Sequence, residues 1–307
     1  MFGISTAWKS SEINTGIELL KELEKTEAPA IELEYRLSSN VFKEISAELK
    51  GSSLQVFSLH NYCPHPEILP LNKASGDVFW LSAIDEQERK LAVQYSLRTI
   101  QNAHEIGAQA VVLHLGKIKM DREGKRWFEL FEDGKFQDKE GQDFLLRKLK
   151  EREVAKKPYF DALLKSLDTL NKEAEKLNIR IGAENRYYWD DFPNFDEIGL
   201  ILDHFSGGKI GYWHDVGHAQ TRETFGLAKH EDFLKFYSDQ LIGIHLHDCH
   251  QIGYNDHFAP GTGFVDYDMI KKYLPANALR IIEVHSRVTL AELQQGILFL
   301  KQKNIIE

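Results

Sequence analysis

Only two of the 307 residues are cysteine, Cys63 and Cys249, which excludes a disulfide scaffold. Their spacing also fits no cysteine metal motif. Long apolar runs are missing, so the sequence offers no transmembrane helix. The stretch from Met1 to Ile13 lacks an apolar segment of signal-peptide length, and a reducing cytoplasm is the expected compartment. Positive charge is not in excess: 38 Lys and Arg stand against 47 Asp and Glu, a net charge of −9. That balance argues against a broad nucleic-acid surface. No repeat at solenoid spacing is present. What remains is an ordinary globular composition, 42% hydrophobic and 28% charged, on a chain longer than the roughly 250 residues of one α/β barrel.

Short apolar runs alternate with longer amphipathic segments. The pattern predicts strands over Phe2–Thr6, Ala30–Glu34, Leu54–His60, Gln109–His114, Ile179–Glu184, Ile210–Asp215, Leu241–His247 and Arg280–His285. Helices are expected over Thr15–Lys25, Asp85–Gly107, Lys156–Leu177, His230–Ser238 and Leu290–Lys301. Eight strand–helix units predict a single α/β domain over residues 1–307, a (β/α)8 TIM barrel with an insertion after strand 4. The insertion spans 117–157 and carries Trp127, Phe128, Phe131 and Phe136. As a βα loop it belongs to the face of the barrel that carries active sites, where it is placed to act as a lid.

Side chains two apart on a strand share a face, which sorts the polar residues. Ile179, Ile181 and Ala183 suit the surrounding helices, leaving Gly182 and Glu184 toward the axis. The same parity puts Phe57 and Leu59 outside with Val56, Ser58 and His60 inside, and Val112 and His114 inside. It sets Ile242, Ile244 and Leu246 against the helices, with Gly243, His245 and His247 inward, and it turns Glu283 and His285 inward as well. Asp215 goes inside with Trp213, and His214 outside. Glu32 and Glu34 share the inward face of the second strand. The result is a ring of His60, His114, Glu184, Asp215, His245 and Glu283 at six strand ends. Several carboxylates cannot be buried together unneutralised. Mixed imidazole and carboxylate donors suit a divalent metal, zinc or manganese first, with magnesium, cobalt or iron also compatible. His247 and His285, one layer above the ring, are placed to touch a substrate, to orient a ligand or to bind metal themselves.

Three motifs carry a resemblance: His214-Asp215-Val216-Gly217-His218, His245-Leu246-His247-Asp248, and His257-Phe258-Ala259-Pro260-Gly261-Thr262-Gly263. In this order they resemble the xylose-isomerase-like TIM barrel superfamily, which holds sugar isomerases and epimerases and also DNA-repair enzymes of the endonuclease IV type. In its epimerase-like members, the resemblance implies a metal held by Glu184, Asp215, His245 and Glu283. Glu184 and Glu283 would then exchange the substrate's proton through a metal-stabilised enediolate, and His218 would contact the substrate. The endonuclease-like pattern implies a second metal on His60, His114 and Glu184. A third would need His218, His257 and an Asp where this sequence has Asn255, with Asp256 beside it. His257, Lys117, Arg186 and His247 are further candidates for substrate contact, and Lys117, Arg186 and Arg287 either grip an anionic group or balance the glutamates. The expected activity is metal-dependent isomerisation or epimerisation of a sugar, sugar phosphate or polyol. The alternative is a two- or three-metal phosphodiester hydrolase. A small-molecule carbohydrate is the expected partner, with neither nucleic acid nor membrane, and a homo-oligomer is left open.

Overall fold

The computed structural model describes residues 1–250 and 255–307. Eight parallel strands close into a barrel. They are β1 (Gly3–Ser5), β2 (Ala30–Leu33), β3 (Gln55–His60), β4 (Ala110–Leu113), β5 (Arg180–Glu184), β6 (Ile210–Asp215), β7 (Leu241–Leu246) and β10 (Leu279–Ile282). Between the last two lies an antiparallel pair, β8 (Asp248–His250) with β9 (Asn255–Phe258). The helices are α1 (Gly16–Glu24), α2 (Ser39–Glu48), α3 (Glu86–Glu105), α4 (Gly124–Glu132), α5 (Lys139–Leu177), α6 (Phe195–His204), α7 (Val216–Thr224), α8 (His230–Tyr237), α9 (Tyr267–Tyr273) and α10 (Leu290–Gln302). This is the (β/α)8 barrel that the alternation predicts. Thr15, Ser38 and Asp85 each accept a backbone N–H in the first turn of the helix they precede. Asn194 and Thr289 complete reciprocal capping boxes with Glu197 and Glu292. Among the described residues no helix is long and apolar enough to cross a membrane.

Two register skips correct the strand parity. Between β2 and β3 the pairing jumps from Ile31–Val56 to Glu32–Ser58, so Phe57 is an extra residue. Between β6 and β7 it jumps from Tyr212–Leu241 to Trp213–Gly243, which leaves Ile242 extra. A bulge of this kind turns a side chain to the other face. Phe57 and Ile242, expected outside, therefore pack with Val112, Trp213 and Ile281, while Val56 joins the cluster under the helices. The indole of Trp213 crosses this plug. A Cβ on Gly182 or Gly243 would collide with it, so both positions need glycine. Trp213 is fully buried, and Trp213→Ala is expected to cost about 3–5 kcal/mol in urea unfolding. A loss below about 1 kcal/mol would show that the plug is not tightly packed.

The helix expected from Lys156 begins at Lys139 instead and runs 39 residues, with Pro158 inside it. Proline withdraws a hydrogen bond from the carbonyl four residues earlier, and that residue, Val154, is 80% exposed, on a side of the helix open to solvent. Residues 117–157 thus form α4 and the first half of α5. Trp127, Phe136 and Phe144 pack with Trp189, beyond β5, and Phe225, beyond α7. Arg122 adds paired bonds of 2.8 Å to Asp190. This segment is fastened to the loop that follows β5.

Candidate metal centre

Each member of the ring is delivered by the end of a strand. His60, Glu184 and Asp215 are the last residues of β3, β5 and β6; His245 is the last but one of β7, and His114 and Glu283 follow β4 and β10 directly. All six are buried. His60 Nε2 and His114 Nε2 lie 3.4 and 3.0 Å from Glu184 Oε2. His245 Nδ1 lies 3.4 Å from Glu184 Oε1, 3.6 Å from Asp215 Oδ2 and 3.0 Å from Glu283 Oε2. One imidazole nitrogen carries at most one hydrogen, so it cannot satisfy three carboxylates. Glu184 Oε2 is itself buried and, among the described residues, accepts no hydrogen bond. An unpartnered buried oxygen among clustered acids is what a divalent cation would relieve, and the mixed N and O donor set is suited to one.

The surroundings fix ring orientations. His245 Nε2 faces Glu32 Oε2 at 3.1 Å, and that oxygen also accepts from the Ser58 hydroxyl at 2.7 Å. His60 Nδ1 points to the Asn61 carbonyl at 3.1 Å, and His218 Nδ1 to the Asn185 carbonyl at 2.8 Å. In each case the second nitrogen is left for the cavity, the arrangement typical of metal-binding histidines. Burial opposes ionisation of Glu184, Asp215 and Glu283, yet the histidines around each outweigh it and hold all three well below the usual carboxylate range. His218 is driven down to about 4, chiefly by burial. For His257, burial is outweighed by Asp256 and Glu283, which raise it to about 10.

Four of the ring, His60, His114, Glu184 and Glu283, line a cavity of about 200 Å³ together with Tyr35, Asp77, Arg186, His218, Asp256 and His257. Of the expected substrate contacts, Arg186, His218 and His257 reach it. Lys117 does not; its ammonium sits 4.8 Å over the Trp80 ring. His247 is fully buried, with Nε2 3.0 Å from both Asp215 oxygens and Nδ1 accepting the His257 N–H at 3.0 Å. Both nitrogens thus face groups of the protein, and the contact with Asp215 is that of a ligand-orienting histidine. Arg287 turns away, its guanidinium 4.2 Å over Phe258. His218, Asp256 and His257 form a further group with ligand atoms within 4.8 Å of one another, so a carboxylate, that of Asp256, does stand beside these two histidines. Asp77, Tyr35 and Tyr187 escape the sequence reading. Asp77 lies in a long loop without periodicity, and its only signal is Gly76, whose hydrogen leaves room for the His114 ring. A larger groove of about 750 Å³ between α3 and α5, lined by Arg89, Tyr95 and Lys165, holds no imidazole–carboxylate set and lies apart from this chemistry.

A family model described as xylose isomerase-like TIM barrel matches residues 17–303. The chain belongs to that family. It is 25% identical to an uncharacterised protein of Methanocaldococcus jannaschii over 93% of this chain and 92% of that one. Its fold is similar to that of a 3-keto-D-glucoside 4-epimerase from E. coli, with a TM-score of 0.68 at 15% identity, covering 98% of each chain. It is also similar to the IOLI protein solved with a bound zinc atom, with a TM-score of 0.64 at 13% identity, covering 99% of this chain and 96% of that one.

Proposed function

We propose that the protein is a divalent-metal-dependent isomerase or epimerase of a small sugar, sugar phosphate or polyol-derived hydroxycarbonyl compound. The observation that carries this reading is the placement of Glu184 and Glu283. They come from strands on different sides of the barrel, meet at His245 Nδ1 and line one small cavity. Its volume falls below the roughly 300–1,000 Å³ of sites for drug-sized ligands, in keeping with a compact substrate. A cation on Glu184, Asp215, His245 and Glu283 would polarise a bound carbonyl and acidify the neighbouring C–H. One glutamate then takes that proton and the other returns one, on the same or the opposite face. His218, Arg186 and His257 hold the substrate's oxygens. The protein from E. coli, an epimerase by name, and the zinc-bound IOLI protein share this fold and support the reading. Zinc or manganese is the expected ion. The test is a panel of ketoses in D2O with the metal-loaded protein: deuterium entering the carbon beside the carbonyl of one member is expected. A broad panel with none would count against proton transfer.

A second reading, hydrolysis of a phosphate ester, is favoured by the His60–His114–Glu184 and His218–Asp256–His257 groups, which proton transfer on one metal does not require. Two or three ions per chain with cleavage of a phosphodiester, abasic DNA included, would promote it; the net charge of −9 weighs against a DNA substrate. On either reading Glu32 orients His245. Glu32→Gln is expected to weaken cation binding about 10- to 100-fold with the fold intact; unchanged affinity by calorimetric titration would remove that role.

A further inference from the structure

Arg186 is buried against the atoms that would hold a cation. Its Nη1 lies 2.6 Å from His114 Nε2, and its Nη2 donates to Asp77 Oδ2 at 3.1 Å. A guanidinium has donors and no acceptor, so this approach uses the lone pair on His114 Nε2. The other nitrogen, Nδ1, lies 3.2 Å from Asp77 Oδ1, so a hydrogen left to it has a carboxylate beside it. The tautomer that receives Arg186 is therefore the one a metal ion would need. The same Nε2 is 3.0 Å from Glu184 Oε2, and two acceptors that close require positive charge nearby. Arg186 supplies it. A guanidinium keeps its charge even where it is buried.

The backbone that carries Arg186 is pinned. Arg222 donates to the carbonyls of Arg186 and Tyr188 at 3.2 and 3.1 Å, and Trp189 is locked into the aromatic cluster of the insertion. Any yielding has to come from the side chain. We infer that Arg186 is a resident cation of the His60–His114–Glu184 group and competes with a divalent ion for it. This group then fills after the Glu184–Asp215–His245–Glu283 group, and at higher metal concentration. The inference rests on the metal reading above and adds an order of filling to it.

The test titrates chelator-stripped full-length protein with Co2+ alone, followed by calorimetry and by d–d absorption. Wild type, Arg186→Met and Arg186→Lys are compared, with Arg186→Gln as the neutral variant should the methionine form fail to fold. Two steps are expected in wild type, and the neutral variant tightens the weaker one at least about tenfold, about 1.4 kcal/mol. A second step that appears only in the neutral variant supports the inference equally. Arg186→Lys behaves as wild type, and adding His114→Gln to the neutral variant abolishes the gain. A second step no tighter in the neutral variant, an equal gain in Arg186→Lys, or a gain that survives His114→Gln overturns the role of Arg186 and leaves the four-ligand group standing. No Co2+ uptake by any form overturns the metal reading itself.

Discussion

Glu283→Gln is expected to lower substrate proton exchange about a thousandfold or more while the protein stays folded. Glutamine keeps the size of the side chain, so the cavity is preserved. It cannot accept a proton, and a positioned base is worth roughly 10²- to 10⁴-fold by itself. The change also removes one of three carboxylates that meet at His245 Nδ1, so cation affinity falls with the rate. Deuterium incorporation followed by NMR reads the first effect, and Co2+ titration reads the second. A rate within about tenfold of wild type would mean that Glu283 is not the group that moves the proton.

Stripping the protein with a strong chelator is expected to abolish turnover reversibly and to lower thermal stability. A ligand that binds only the native state stabilises it by about 4 kcal/mol at a thousandfold excess over its Kd. Here the effect should be at least that large, because the stripped site leaves Glu184, Asp215 and Glu283 buried together. Adding back zinc or manganese should restore both the melting temperature and the activity. Full activity retained after verified stripping would contradict the account, whatever the melting temperature did.

The barrel was legible because its strands are short, apolar and regularly spaced, and the ring because parity holds at the strand ends. His60, His114, Glu184, Asp215, His245 and Glu283 come together as parity places them. Parity failed lower in the barrel, at Phe57 and Ile242, where bulges add a residue that no local pattern announces. His247 points inward as read, and its contact with the His257 N–H depends on a distant loop that parity does not place. The β8–β9 pair is short and mostly polar and carries no clear alternation, so its sequence does not place Asp256 beside His218. Asp77 is the clearest omission. It arrives from a loop more than 100 residues before Arg186, and tertiary folding alone brings the two within 3.1 Å. α5 starts at Lys139 rather than Lys156 and runs through Pro158, a residue that suits only the first turn of a helix, where Val154 four residues earlier is exposed.

The shared cation is tested most directly by elemental analysis of protein purified without chelator, together with anomalous diffraction at the edge of the metal found. The account predicts at least one equivalent of a transition metal per chain, with its peak among Glu184, Asp215, His245 and Glu283. Protein that carries no transition metal and takes up none on dialysis against zinc or manganese would contradict it.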